Sequence, residues 1–244
     1  MEEQELSKKE RKELRRQERR TEVQKMKQQW GLKRLVLWLG VIAFFGLGIW
    51  AVIALVPEPP ETVEGSNLPV VTEKDHFKGS VDAPVVLVEY GDFQCLACRA
   101  FFSILQQLEG EFGEQIKFVF RHYPLRAIHP QAEMASRATE AAALQGKFWE
   151  MHNVIFETQS AWSGDRNAKN VFVEYAQNLG LDVAQFEQDI ELASVKDKVQ
   201  TDLSGGNLAG VQGTPSFFLQ GKRIANPRNH GEFQALIQQT LQSP

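Results

Sequence analysis

The sequence contains very little cysteine, and what it has is concentrated at one place. Cys95 and Cys98 are the only cysteines in 244 residues. Because no others exist, the chain encodes no internal cysteine relay that would pass electrons to this pair. Zinc needs about four protein ligands, and the five histidines are not paired at metal-binding spacing. The sequence therefore predicts neither a metal site nor another cofactor.

Positive charge is scarce outside the first 34 residues. Residues 1–34 carry 12 Lys and Arg against 7 Asp and Glu, whereas the other 210 residues carry 15 against 24. An acidic surface argues against nucleic-acid binding, which requires basic groups to neutralise phosphates. Residues 1–34 also have too few apolar side chains to form a core. We interpret them as a charged cytoplasmic tail, with an RNA-binding or acidic-lipid-binding arm as the alternative.

Charge is absent from residues 35–56. This apolar run of 22 residues is long enough to cross a membrane as a helix. Lys33 and Arg34 precede it, which predicts a cytoplasmic N-terminus and an extracytoplasmic C-terminal remainder, periplasmic or at the cell surface. A cleavable signal peptide would have a shorter apolar region, and no A-x-A-like site follows Val56. The sequence therefore predicts an uncleaved signal anchor that crosses the membrane once.

The remainder of the chain divides into a spacer and one domain. Residues 57–76 are rich in proline and glutamate, which favours an extended linker. Residues 77–244 have the composition of a globular domain. Within them, residues 85–89 form an apolar run typical of a buried strand, a helical spacing of apolar residues follows, and residues 116–120 alternate as a second strand. This order predicts a β-α-β unit with parallel strands.

In the second half of the domain, the spacing of apolar residues changes from helical to strand-like and back to helical. Residues 130–208 have the apolar spacing of helices and predict a helical insertion. Residues 216–219 and 222–224 flank a tight turn and predict a hairpin, and residues 233–241 predict a final helix. The fold class is therefore α/β, with the order β-α-β, helical insertion, β-β-α. Trp162 falls among Ser and Gly, where we expect a loop and an exposed contact or an ordinary surface aromatic.

The cysteine pair lies where the first predicted strand gives way to a helix. Cys95 and Cys98 are three positions apart, and the N-terminus of a helix favours a thiolate. This placement predicts a redox-active dithiol. A purely structural disulfide is the alternative, but a bond between Cys95 and Cys98 closes too small a loop to stabilise the fold much by chain entropy.

Three segments resemble one family when they are taken together and in order. They are residues 88–99 (VEYGDFQCLACR), 145–152 (QGKFWEMH) and 210–218 (GVQGTPSFF). Over about residues 77–244 the chain resembles the thioredoxin-fold thiol–disulfide oxidoreductases, in particular the DsbA-like branch that carries a helical insertion. The resemblance implies a thioredoxin-like fold and thiol–disulfide exchange.

The resemblance also implies roles for single residues. Cys95 would be the attacking thiolate, and Cys98 would resolve the mixed disulfide. Pro215 matches the cis-proline of the family, which lets the backbone of Thr214 pair with a substrate strand. Glu89 matches the buried acid of the family and would help to move the proton of Cys98. From the residues alone, an ordinary trans Pro215 and a solvated Glu89 at a strand end remain open.

One departure from the family concerns the residues between the cysteines. The corresponding motif of DsbA is Cys-Pro-His-Cys, whereas this chain has Leu96 and Ala97 between its cysteines. These two side chains offer the thiolate neither charge nor a hydrogen bond. We therefore predict a reduction potential less oxidising than that of DsbA.

The sequence as a whole predicts a membrane-anchored, extracytoplasmic thiol–disulfide oxidoreductase. It would form, reduce or isomerise disulfides in exported proteins through Cys95 and Cys98, with a membrane redox partner restoring the pair. The direction of electron flow is open at this point. The alternative is a non-catalytic thioredoxin-fold module that binds extended peptides and carries a structural disulfide.

Overall fold

A computed structural model describes residues 68–242 of the chain, together with Trp38 and Gly40. The chain divides into two compact units, Met1–Glu61 and Thr62–Pro244. Trp38 and Gly40 are helical. The second unit contains the sheet and both cysteines.

Three predicted segments lie wholly or largely outside the described residues. They are the charged tail at residues 1–34, the membrane anchor at residues 35–56 and the first part of the linker at residues 57–76. In the part of the chain that the structure describes, no helix is both long and apolar enough to cross a membrane.

A mixed five-stranded sheet forms the centre of the domain, with the strand order β1-β3-β2-β4-β5. The two central strands, β2 and β3, are parallel, as predicted, and the other neighbouring pairs are antiparallel. The first strand was not expected, because three residues are too few to show a period. The strands are β1 (His76–Lys78), β2 (Val85–Gly91), β3 (Ile116–His122), β4 (Ser216–Leu219) and β5 (Lys222–Ile224).

Helices connect and cover the strands in the predicted order. One helix links β2 to β3, six lie between β3 and β4, and one follows β5. The six helices occupy Ala132–Leu208, in the region where the sequence predicts an insertion at about residues 130–208. The helices are α1 (Leu96–Phe112), α2 (Ala132–Ala143), α3 (Phe148–Glu157), α4 (Gln159–Trp162), α5 (Ala168–Asn178), α6 (Val183–Asp189), α7 (Ala193–Leu208) and α8 (His230–Gln242), and a 3-10 turn covers Gly113–Gln115.

The pattern of β2 explains why it is the central strand. Alternate side chains of a strand point to opposite faces of the sheet, and both faces of β2 are covered. Leu87 packs with residues of α1 and α8 on one face. Val88 and Tyr90 pack on the other face with the segment that follows α7. A strand that is buried on both sides holds its C-terminal end, and therefore the turn that carries the cysteines, in a defined place.

The N-terminal boundary of the domain lies earlier than the sequence suggests. The Arg121 guanidinium on β3 donates to the Asp75 carboxylate at 2.8 and 3.0 Å. It also donates to the carbonyl oxygens of Pro69 at 2.9 Å and Val70 at 3.1 Å. These residues belong to the segment predicted as linker (residues 57–76), yet they pack on the sheet. Arg121 is 46 to 52 positions away from these partners, so its contacts leave no local pattern in the sequence.

Trp162 corrects an expectation. The sequence suggests a loop and an exposed contact, but Trp162 ends α4 and is fully buried. Its indole N–H donates to the carbonyl oxygen of Ile155 at 2.8 Å, and its ring meets Phe172 edge to face at 5.1 Å. The side chain therefore belongs to the core of the helical insertion, where its polar N–H has a partner.

Candidate active site

The cysteine pair lies at the junction of β2 and α1. Cys95 is the N-cap residue of α1 in an extended conformation, and Cys98 lies on the buried face of the first turn. The exposed fraction is 8% for Cys95 and zero for Cys98. Both thiols are free, so the structure describes the dithiol form.

The two thiols have opposite acidities. Hydrogen bonding from the Cys98 side chain lowers the pKa of Cys95 to about 5 against the effect of burial, and the Cys98 and Ala97 backbone N–H groups add to it. Burial raises the pKa of Cys98 well above its ordinary value, and the hydrogen bond to Cys95 and the charge of Glu89 raise it further. The surroundings of the pair therefore favour the thiolate at Cys95 and the protonated thiol at Cys98.

The loop before β4 completes the site opposite the cysteines. The Thr214–Pro215 peptide bond is cis, as the family resemblance implies. The Cys95 Sγ atom lies 3.4 Å from the carbonyl oxygen of Thr214. The structure therefore brings together the four predicted residues Cys95, Cys98, Thr214 and Pro215.

Glu89 is the remaining predicted site residue, and the structure decides between its two interpretations. The side chain is 2% exposed, and its Oε1 atom has no hydrogen-bond partner among the described residues. Burial raises the pKa of Glu89 to about 8, and the Cys95 thiolate also contributes. A carboxyl group with this pKa is able to exchange a proton near neutral pH. Glu89 is thus a buried acid rather than a solvated one.

Asp92 organises the turn before the cysteines and was missed in the sequence. It is fully buried, and its carboxylate accepts hydrogen bonds from the Gln94 and Leu125 backbone N–H groups at 2.7 and 2.8 Å. The same carboxylate contacts Nδ1 of His129 at 2.8 Å. The Asp92 backbone N–H points to Cys98 Sγ at 3.5 Å. The only hint in the sequence is an aspartate two residues before Gln94, a spacing typical of Asx turns.

Two glutamines tie the helical insertion to the same turn. The Gln159 side-chain amide, on α4, donates to the carbonyl oxygens of Phe93 at 2.7 Å and Cys95 at 2.9 Å. The Gln94 side chain donates to the carbonyl oxygen of Ser163 at 2.6 Å. No sequence signal identifies Gln159, because its partners are 64 and 66 positions away.

A second group of titratable residues lies apart from the cysteines. Ligand atoms of His122, Glu140 and Asp202 lie within 4.8 Å of one another, a geometry that can suit a metal. The Glu140 carboxylate, however, contacts His122 at 2.7 Å and His76 at 2.9 Å. Burial raises the pKa of Glu140, but the hydrogen bonds with these histidines outweigh it and hold the pKa well below its usual range. Asp202 is paired with Lys198 at 2.7 Å. We therefore interpret the group as an ion-pair network.

A known protein family matches the part of the chain that contains the cysteine pair. The family profile described as thioredoxin matches residues 71–239, which include the sheet, the insertion and both cysteines. The chain belongs to the thioredoxin family. Membership of the thioredoxin family confirms the α/β thioredoxin-like fold predicted from the sequence.

Curated relatives match most of this chain over a smaller part of their own length. The Na(+)/H(+) antiporter NhaA 1 of Mycolicibacterium gilvum is 39% identical over 199 residues, which cover 79% of this chain and 31% of that protein. The Na(+)/H(+) antiporter NhaA 3 of Salinispora tropica is 34% identical over 176 residues, which cover 72% of this chain and 26% of that protein. The chain therefore spans less than a third of the length of these relatives.

Solved structures share the fold at low sequence identity. Oxidised BdbD from Bacillus subtilis has a TM-score of 0.66 and 22% identity, covering 75% of this chain and all of that one. Wolbachia pipientis alpha-DsbA1 has a TM-score of 0.64 and 19% identity, covering 72% and 94%. The catalytic domain of Proteus mirabilis ScsC has a TM-score of 0.58 and 16% identity, covering 70% and 92%. The chain therefore shares its fold with these three structures.

Proposed function

We propose that this domain is a thiol–disulfide oxidoreductase that works through Cys95 and Cys98. The observation that carries the proposal is the opposite acidity of the two thiols within one turn of α1. The pKa of Cys95 is lowered to about 5, whereas Cys98 is fully buried and keeps its proton. Cys95 is therefore the thiol that attacks a substrate disulfide, and Cys98 is the thiol that attacks Cys95 afterwards.

The exchange proceeds in two steps that conserve electrons. The Cys95 thiolate attacks a substrate disulfide, so that a Cys95–substrate disulfide forms and the other substrate sulfur leaves as a thiolate. Cys98 then loses its proton and attacks the sulfur of Cys95. The Cys95–Cys98 disulfide forms, the second substrate thiolate leaves, and two electrons have passed to the substrate. The reverse sequence oxidises a substrate dithiol.

Glu89 is the proton acceptor that we propose for the second step. Its carboxyl group is buried, and burial raises its pKa to about 8. Its negative charge raises the pKa of Cys98. A base with a pKa in this range takes a proton and returns it near neutral pH. Glu89 therefore matches the need of a buried thiol that must become a thiolate before it attacks.

The loop at Thr214 and Pro215 is the substrate-binding element of the proposal. The Thr214 carbonyl oxygen lies beside the Cys95 sulfur. A substrate strand that pairs with this backbone would place its own cysteine against Cys95. The proposed substrates are therefore cysteine-containing proteins bound as extended segments.

We further propose that residues 35–56 anchor the enzyme in a membrane with the domain outside the cytoplasm. The support is the uncharged apolar run preceded by Lys33 and Arg34. Disulfide chemistry belongs in such oxidising compartments. A membrane redox partner would then return the pair to its starting state. Antiport is not proposed for this chain, which spans less than a third of its antiporter relatives.

Reduction of insulin by dithiothreitol tests the proposed activity. The purified chain should accelerate insulin precipitation, and both Cys95→Ser and Cys98→Ser should abolish the acceleration. Full activity of the Cys95→Ser protein would overturn the catalytic role and favour a peptide-binding module instead. Alkylation trapping in cells then gives the direction: a mainly oxidised pair indicates an oxidase, and a mainly reduced pair indicates a reductase or isomerase.

A further inference from the structure

Two residues that line one small cavity between the sheet, α1 and α3 each carry a buried polar atom. They are Glu89 on β2, with Oε1, and His152 on α3, with Nε2. Neither atom has a hydrogen-bond partner in residues 68–242. Glu89 is 2% exposed and His152 is 4% exposed. Buried polar groups are nearly always paired, so two unpaired atoms on residues of one cavity require an explanation.

The cavity suits a single water molecule. Its open volume is about 10 Å³, which is about the space that one water needs. Its lining combines apolar residues with several polar ones: Glu89, Gln106, His152 and Asn153. Among these, Glu89 and His152 carry the buried polar atoms that lack a partner, so they are the groups that a water there would satisfy. The remaining polar residues of the lining include Lys78 and Glu109, whose side chains pair at 2.8 Å and are 19% and 44% exposed. The cavity therefore extends from a buried acid to a partly exposed ion pair.

His152 carries a free hydrogen-bond acceptor. Its Nδ1 atom lies 3.0 Å from the amide oxygen of Asn153, which accepts, so Nδ1 carries the proton and Nε2 has a free lone pair. Burial lowers the pKa of His152 to about 3, so the ring stays neutral at physiological pH. The rings of Phe120 and Phe156, at 4.8 and 5.0 Å, hold the imidazole in place.

We propose that His152 is a positioning residue that holds a water against Glu89, and that the proton of Cys98 leaves through this water. The inference rests on the proposed function and deepens it. When Cys98 attacks the mixed disulfide, its S–H bond breaks and the proton passes to Glu89. The departing substrate thiolate takes its own proton from solvent. Glu89 must then release its proton before it can act again, and a buried carboxyl requires a route for that release.

The closing step can be measured separately from the first step. The reduced protein is first converted to a mixed disulfide between Cys95 and glutathione, and glutathione release is followed as Cys98 closes the bond. We expect His152→Phe to slow this release at least tenfold. The rate of Cys95 alkylation by iodoacetamide, which needs no proton from Cys98, should stay within twofold of wild type. Ile155→Val, which loosens the same helix away from the cavity, should change neither rate more than twofold.

A double-variant cycle separates a water route from a packing effect. In a Glu89→Gln background the proton has no acceptor, so His152→Phe should add no further slowing. His152→Gln, whose amide oxygen can accept a hydrogen bond, should recover part of the lost rate. If His152→Phe does not fold, His152→Leu removes the acceptor in the same way.

The outcomes distinguish this inference from the proposed function. If wild-type protein never releases glutathione, the proposed function fails and this inference fails with it. If wild type closes the bond and a folded variant without the His152 acceptor closes it equally fast, only the role of His152 is overturned. Equal slowing of closure and alkylation, or further slowing in the Glu89→Gln background, would also overturn it.

Discussion

The sulfur of Cys95 lies 3.4 Å from the carbonyl oxygen of Thr214, although the two residues are 119 positions apart in the chain. This contact exists because β2 and β4 are neighbours in the sheet, paired through Val88 and Phe218 among others. The turn after β2 and the loop before β4 therefore meet at one end of the sheet. The Cys95 sulfur therefore lies beside the half-buried backbone of Thr214, where an extended substrate would pair.

The acidity of Cys95 gives the first prediction. Because hydrogen bonding from Cys98 lowers the pKa of Cys95 to about 5, alkylation of the reduced protein should titrate with a midpoint near pH 5. Only Cys95 should react, since Cys98 is buried and its pKa is raised well above normal. Mass spectrometry of the alkylated protein over a pH series measures both. A midpoint above pH 8, as in unfolded chains, would contradict the assigned hydrogen bonds.

The reduction potential gives the second prediction. A thiolate that is stabilised, but less than the thiolate of DsbA with its pKa of about 3.5, should give a potential between about −270 mV for thioredoxin and about −120 mV for DsbA. Replacing Leu96 by Pro and Ala97 by His should move the potential towards the DsbA value. Equilibration with glutathione measures both proteins. A wild-type value near −120 mV would show that the intervening residues do not set the potential.

Much of this site could be predicted from sequence because its residues lie in short motifs. Cys95 and Cys98 mark the start of a helix, and the family resemblance of the segment around Pro215 implied the cis bond that is present. Burial of Glu89 could not be decided, because an acid at a strand end also fits a solvated position. In the folded protein it shares a small cavity with Phe118 of β3 and with Phe102 and Phe156 of the helices, residues distant in the sequence.

Other parts depend on contacts that no local pattern encodes. Gln159 supports the turn of Cys95 from α4, and Arg121 on β3 holds Asp75 and the segment before β1. The helical insertion was predictable because apolar residues recur at helical spacing over a long stretch of sequence. Strand β1 has only three residues, which are too few to show a repeating pattern. The hydrogen bonds that place the turn join residues brought together only by folding.

Glu89 should make the stability of the protein depend on pH. Burial raises its pKa from 4.5 to about 8 in the folded state. The folded state then holds a proton that the unfolded state has lost, so stability falls as pH rises from about 4.5 to about 8. Glu89→Gln cannot ionise and should be more stable than wild type at pH 8, by about 2–5 kcal/mol, and nearly equal at pH 4.

Urea denaturation across this pH range measures the difference. Glu157→Gln, at the exposed end of α3, serves as the matched control and should follow the wild-type curve. Parallel stability curves for wild type and Glu89→Gln would show that Glu89 is not a buried acid.

The ion pair between Arg121 and Asp75 should anchor the start of the domain. Both side chains are buried, at 5% and 6% exposure. Arg121→Met would leave the Asp75 charge unpaired, at a cost of about 3–5 kcal/mol in the free energy of unfolding. The double variant with Asp75→Leu should recover much of that loss. Arg228→Met, which breaks an exposed pair with Glu232, should cost less than about 1 kcal/mol. Equal losses for the two arginines in denaturant titrations would contradict the structure.

The central claim is that Cys95 attacks the substrate and Cys98 resolves the intermediate. Incubating Cys98→Ser with a substrate protein that carries a disulfide, and then analysing the products by non-reducing electrophoresis and mass spectrometry, tests it most directly. We predict a stable disulfide between the substrate and Cys95, none with the Cys95→Ser protein, and only a transient species with wild type. A substrate trapped on Cys98 in the Cys95→Ser protein, or no adduct with either variant, would contradict the account.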